Sequence, residues 1–151
     1  PMNVVPSTMS LLDGVLTTSL GYDKLPAEVR ERHQKRVYNA IVSLMRRFHD
    51  DWVENRIDHD RVLVVRFDRL MQDFEPMMDE ICAFCELEMT EEQRQAIAAR
   101  GEKQRAYKSG HKYDITKYGL TEEQVRADTK FFSDTFLPPV EPAADASADA
   151  S

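Results

Sequence analysis

The stretch Arg61-Val62-Leu63-Val64-Val65-Arg66-Phe67 decides how the rest of the chain is read. Four consecutive aliphatic residues, three of them valine, sit between two arginines. A short continuous β-branched run of this kind predicts a strand buried on both faces, the habit of parallel sheets covered by helices on either side. The expected strand spans about 62–67, and no second run in the sequence reads as convincingly. A lone buried strand leaves backbone N–H and C=O groups unpaired, at about 1–3 kcal/mol for each one. The sheet it needs is therefore expected from residues outside this chain, most simply upstream of Pro1, and the chain reads as a fragment.

Outward from that strand the pattern turns helical. Downstream, Phe74, Met77, Met78, Ile81, Cys82 and Cys85 recur at helical spacing. Thr90-Glu91-Glu92-Gln93 is a capping-box pattern and predicts a shorter helix that stops near Gly101. Thr121-Glu122-Glu123-Gln124 repeats the signature, with Leu120 and Val125 placed for a hydrophobic staple and one last helix ending before Pro138-Pro139. Phe131, Phe132 and Phe136 are expected to dock that helix on the missing sheet. Upstream, Val4, Val5, Met9, Leu12, Val15 and Leu16 predict a helix capped by Asn3, with Gly21 beyond its end. Pro26 opens a long helix whose buried stripe is Val37, Ile41, Leu44, Met45, Phe48 and Trp52. Residues 1–137 thus form the folded part. Residues 138–151, built from Pro, Ala, Asp, Ser, Glu and one Val, are expected to be a disordered tail.

Composition excludes several classes. The 151 residues are 42% hydrophobic and 31% charged, with a formal net charge of −7. That balance argues against a general nucleic-acid binder, which carries basic excess. No apolar run approaches the ~20 residues of a membrane span, and the N-terminus lacks a signal-peptide pattern. Cys82 and Cys85 form a CxxC late in an apolar helical stretch rather than at a helix start, so they read as two reduced core cysteines. His33, His49, His59 and His111 supply no obvious pair of additional zinc ligands, and no metal is expected. His49-Asp50-Asp51 and His59-Asp60 read as solvated surface. Reduced cysteines without a targeting signal make the cytoplasm the default compartment.

Two stretches resemble one family. Residues 1–11, Pro-Met-Asn-Val-Val-Pro-Ser-Thr-Met-Ser-Leu, look like the 3′-phosphate-binding segment of sulfotransferases, in which an arginine is followed eight residues later by a serine on the next helix. Ser7 falls at the serine position, and the arginine would lie just before Pro1. The arrangement has a physical reason: a helix N-terminus favours an anion, the hydroxyl adds a donor, and arginine grips phosphate with two hydrogen bonds. Residues 64–70, 73–76 and 81–87 resemble the family's strand, acidic turn and following helix. Lys108-Ser109-Gly110-His111-Lys112-Tyr113 and residues 118–124 resemble its closing loop and last helix.

The resemblance implies an α/β fold: the C-terminal portion of a P-loop-type parallel-sheet sulfotransferase, mostly helical here with one buried strand. It implies sulfuryl transfer from 3′-phosphoadenosine-5′-phosphosulfate (PAPS) to a hydroxyl or amine on a small molecule, lipid or carbohydrate. Ser7 would bind the cofactor's 3′-phosphate, and Lys108, Ser109, Gly110, His111 and Lys112 would cover its phosphates. The family's phosphosulfate loop and its histidine or glutamate base have no counterpart in this sequence, so the chain alone is expected to be inactive. Two other readings stay open. One is a non-catalytic helical interaction module derived from such a fold; the other is a related nucleotide kinase.

Overall fold

The computed structural model describes residues 1–106 and 114–137. Helix α1, Val4–Leu20, starts at Asn3, tolerates Pro6 in its first turn and passes through Gly14 without a break. It ends at Gly21, whose φ of +63° lets its N–H turn back to Leu16 and Thr17 carbonyls, a left-handed close that glycine makes without steric cost. A 3-10 turn, Tyr22–Lys24, leads to Pro26 and α2, Ala27–Val53.

After α2 the chain carries α3, Phe67–Gln72, α4, Phe74–Phe84, and α5, Glu91–Ala106. The capping box at Thr90 is fully formed. The Gln93 N–H donates to the Thr90 hydroxyl at 3.3 Å, and the Thr90 N–H donates to the Gln93 side-chain carbonyl at 2.9 Å. A second 3-10 turn, Thr116–Tyr118, precedes α6, Glu122–Asp128, and α7, Lys130–Phe136. Thr121 caps α6 by accepting the Gln124 N–H at 3.2 Å. Leu120 and Val125 are both buried, as the staple requires.

The elements pack in two groups. In the first, α1, α2, the second 3-10 turn and α6 meet around Val5, Met9, Tyr38, Ile115, Tyr118, Leu120 and Val125, with the first 3-10 turn packed on α1 and α7 on α2 and α6. α3, α4 and α5 pack on one another around the fully buried Met77.

Several expectations need correction. No strand occurs among the described residues: 62–66 run without regular structure, and Phe67 already opens α3. Arg66 has extended dihedrals, φ −78° and ψ 127°. Residues 63–66 are only half-buried, and Val62 and Phe67 are exposed. A β-branched run has the propensity for a strand, but a strand is a ladder, and nothing among the described residues supplies its other rail.

Leu44 is not part of the buried stripe of α2; it is 71% exposed, and Tyr38 takes the fully buried position. The predicted last helix is two, because Thr129 caps α6 while its buried hydroxyl donates to the Val125 carbonyl at 2.7 Å. The α7 aromatics dock on α2, not on a sheet. Phe48 stacks with Phe132 and Phe136, and Phe136 meets Trp52 edge-on. That cluster also takes up His49, read as solvated, while His59 stays exposed as expected and rests on its edge. His49 sits against Phe131 and hydrogen-bonds Thr135, and the His59 ring stacks on Trp52 at 3.8 Å. Both cysteines are free, but Cys85 is exposed rather than core. The expected tail at 138–151 lies outside the described residues.

Gly101 does not stop α5, which runs on to Ala106. It is buried where α5 crosses α4, and a Cβ there would sit 2.9 Å from a Glu75 carboxylate oxygen. That oxygen is the end of a flexible side chain in a half-exposed pair with Arg105, worth at most about 1 kcal/mol. Alanine gains about 0.8–1 kcal/mol of helix propensity. Gly101→Ala is therefore expected to raise Tm slightly, by about 1–3 °C. A fall of several degrees in a thermal melt would show that Glu75 cannot give way.

Candidate cofactor site

Ser7 lies in the first two turns of α1 and is half-buried. The Val5 N–H donates to the Pro1 carbonyl at 3.0 Å and the Ser7 N–H to the Asn3 carbonyl at 3.2 Å. Pro6 has no N–H. These amides therefore serve the helix, and a phosphate at this turn would draw on the Ser7 hydroxyl rather than on them. At about 100° per residue, Ser7 lies roughly 200° around α1 from Val5, away from the core. It shares the outer face with Val4, Leu11 and Val15, which are 51%, 66% and 52% exposed. The serine thus stands, half-buried, on the side of its helix that carries these exposed apolar residues.

Lys108, Ser109, Gly110, His111 and Lys112 lie outside the described residues, but the chain on either side is placed. α5 ends at Ala106, and the path resumes at Asp114. The Asp114 carboxylate accepts the Thr116 hydroxyl at 2.6 Å and the Thr116 N–H at 2.9 Å, and both bonds hold its pKa below the ordinary carboxylate value. Immediately after, Ile115 and Tyr118 enter the cluster that contains Val5 and Met9. The exit of the loop is therefore anchored against the inner face of α1, while Ser7 occupies the outer face.

At the turn expected to follow the strand, the Arg66 side chain pairs with Asp68 in the first turn of α3, Nε to Oδ1 at 3.0 Å. The contact lowers the Asp68 pKa and raises that of Arg66.

Sequence reading missed an open cleft of about 450 Å³ between α2 and the segment from Lys117 to the start of α6. Gln34, Lys35 and Asn39 line one wall, and Lys117 and Gln124 the other. On its core side, the Tyr38 hydroxyl donates to Asp128 at 2.7 Å. Burial, reinforced by that carboxylate, pushes the Tyr38 phenol well above its ordinary pKa, so it stays protonated. The Lys117 ammonium lies 4.6 Å from the centroid of the Tyr118 ring; closeness to the Tyr118 hydroxyl is the main cause of its raised pKa. Only the pairing of side chains some 80–90 positions apart creates the cleft, and no local motif announces it. Among the described residues no group of three or more His, Cys, Asp or Glu side chains is placed to hold a metal ion. None of the described helices is long and apolar enough to cross a membrane.

Comparison with family models gives first a class, the transferases, since residues 1–91 match a model described as the sulfotransferase family. That match spans more than half of the 151 residues. The chain belongs to the sulfotransferase family. The matched part contains Ser7 and residues 64–87, while Lys108 to Lys112 and the last two helices lie beyond it. Comparisons with curated proteins and with solved structures gave no match. Family membership ties the chain to sulfuryl transfer in general and to small-molecule acceptors.

Proposed function

We propose that this chain forms part of an enzyme that moves a sulfuryl group from PAPS to a hydroxyl or amine acceptor, with Ser7 as a ligand of the cofactor's 3′-phosphate. The observation that carries the reading is the position of Ser7 inside the matched region, early in α1 and on the side of the helix turned from Val5. The cofactor brings the activated sulfuryl group; this chain's residues bind and orient. The Ser7 hydroxyl donates to a 3′-phosphate oxygen. Lys108 and Lys112 offset the phosphate charge, and Gly110 between them lets backbone approach it. The apolar stripe of Val4, Leu11 and Val15 and the unladdered run 62–66 are the surfaces a parallel sheet would cover, which is how this chain would join a P-loop-type fold.

A non-catalytic interaction module would expose the same stripe, so ligand chemistry must separate the two readings. Adenosine 3′,5′-bisphosphate should bind more tightly than 5′-AMP, which lacks the 3′-phosphate. Ser7→Ala is expected to weaken the bisphosphate by about tenfold, the worth of one hydrogen bond to a charged group, and to leave 5′-AMP unchanged. Titration calorimetry on the protein and its Ser7→Ala variant checks this. Equal affinity for the two nucleotides, or equal loss of both in the variant, would remove Ser7 from the site.

A further inference from the structure

Tyr118 is more than nine-tenths buried, yet its hydroxyl has no hydrogen-bond partner among the described residues. An unpartnered buried hydroxyl is costly, and folded proteins pair nearly all such groups with protein or with ordered water. Lys117 cannot complete the pairing. Its ammonium is close enough to the Tyr118 hydroxyl to have its own pKa raised by it. An ammonium only donates, however, so it can serve the phenol oxygen and never the O–H. That proton needs an acceptor.

Tyr118 borders a cavity of about 10 Å³, walled by side chains of α1, α2 and both 3-10 turns. A single water needs a cavity of about 10–15 Å³, so the space suits one water and nothing larger. Met9 and Tyr22 are buried beside it, and Val37 is half-buried. The Tyr22 O–H is already engaged, donating to the Arg30 carbonyl at 2.9 Å, and its ring stands edge-on to His33 with centroids 5.2 Å apart. Asp13 from α1 and His33 and Gln34 from α2 supply the polar part of the lining, all half-buried. The Asp13 carboxylate acts on this corner of the molecule. After burial it is the next cause that raises the Tyr22 pKa, and it raises that of Lys117 as well. A buried water typically makes about three hydrogen bonds, and the groups around this cavity are enough to provide them.

We propose that the cavity is a binding site for one ordered water. The water accepts the Tyr118 O–H and a bond from the Gln34 amide, and it donates to the Asp13 carboxylate. It thereby joins the second 3-10 turn to α1 and α2 and gives the Tyr118 hydroxyl a structural part. Because α1 also carries Ser7, the bridge belongs to the packing that sets that helix against α2. The site does not depend on the sulfuryl-transfer reading.

Water-selective NOE and ROE spectra of the isotope-labelled 151-residue protein should show a long-lived water at the Met9 and Val37 methyl groups. In Tyr118→Phe that contact should vanish. A pair of thermal melts tests the bridge independently. Val37→Ile adds a methyl group to the cavity wall and displaces the water, which strands the Tyr118 hydroxyl. Any crowding from the added methyl is common to both backgrounds, so Val37→Ile should lower Tm by about 3 °C more in the native background than in the Tyr118→Phe background. The proposal is overturned if no long-lived water contacts these methyl groups, if the contact persists in Tyr118→Phe, or if Val37→Ile costs the same in both backgrounds.

Discussion

Val125→Asp is expected to unfold the group of helices built on α1 and α2. Val125 has no exposed surface and sits in one cluster with Val5, Met9, Tyr38 and Leu120. A carboxylate there either stays charged without a partner or takes up a proton and remains an unsatisfied polar group; both cost several kcal/mol. The lost valine packing and the broken staple to Leu120 add to this, giving a loss above about 4 kcal/mol. Domains of this size hold about 5–15 kcal/mol in total, so most of the margin disappears. Trp52 is the reporter, because it is the single tryptophan and packs on Phe48 and Phe136. Its emission should shift to that of solvent-exposed indole at ambient temperature. Amides of α3, α4 and α5, which pack chiefly among themselves around Met77, should keep more of their exchange protection. Val4→Asp, at a site 51% exposed, should change stability by no more than about 0.5 kcal/mol. Native Trp52 emission in Val125→Asp would mean that the cluster is not what holds this group together.

Where the sequence was legible, the reason is local. The two capping boxes at Thr90 and Thr121 close with the hydrogen bonds their spacing implies, because a cap needs only residues three positions apart. Pro26 and Gly21 mark helix ends for the same reason: each fixes its own backbone. Four of the misreadings turn on partners far along the chain or missing from it. Gly101 looks like a stop until α4 brings Glu75 against it. Leu44 looks like core until Tyr38 takes the buried line of α2 and leaves that turn to solvent. His49 looks like surface until α7 sets Phe131 and Thr135 beside it. The run 62–66 is the sharpest case, since its residues favour a strand but a ladder requires a neighbour. The candidate site divides the same way. Ser7 was legible as a residue at a helix start, whereas the cleft joins side chains from α2 and α6 that no spacing connects.

Purified alone, the 151-residue chain is expected to transfer sulfuryl groups from PAPS at a rate at least about a thousandfold below that of a complete sulfotransferase, since positioning and charge neutralisation supply most of the acceleration in such reactions. The donor's phosphosulfate needs a loop of backbone N–H groups between a strand and a helix, closed by Lys-Ser or Lys-Thr. The sequence has five glycines: 14, 21, 101, 110 and 119. Gly14 and Gly101 lie within helices, and Gly21 and Gly119 are left-handed helix ends. Lys108-Ser109-Gly110 is the one place with the right residue types, yet what precedes it is α5, running to Ala106, and not a strand. On the proposed reading this chain holds one end of the cofactor, the 3′-phosphate at Ser7, and holding one end does not align sulfur with an acceptor oxygen. The decisive assay follows transfer of radiolabelled sulfate from PAPS to a panel of sugar, phenol and amine acceptors, alongside binding of adenosine 3′,5′-bisphosphate. Binding without turnover is the expected pair of results. Turnover near that of a complete enzyme would mean that some group in this chain cradles the phosphosulfate, and Lys108-Ser109-Gly110 would be the first place to mutate.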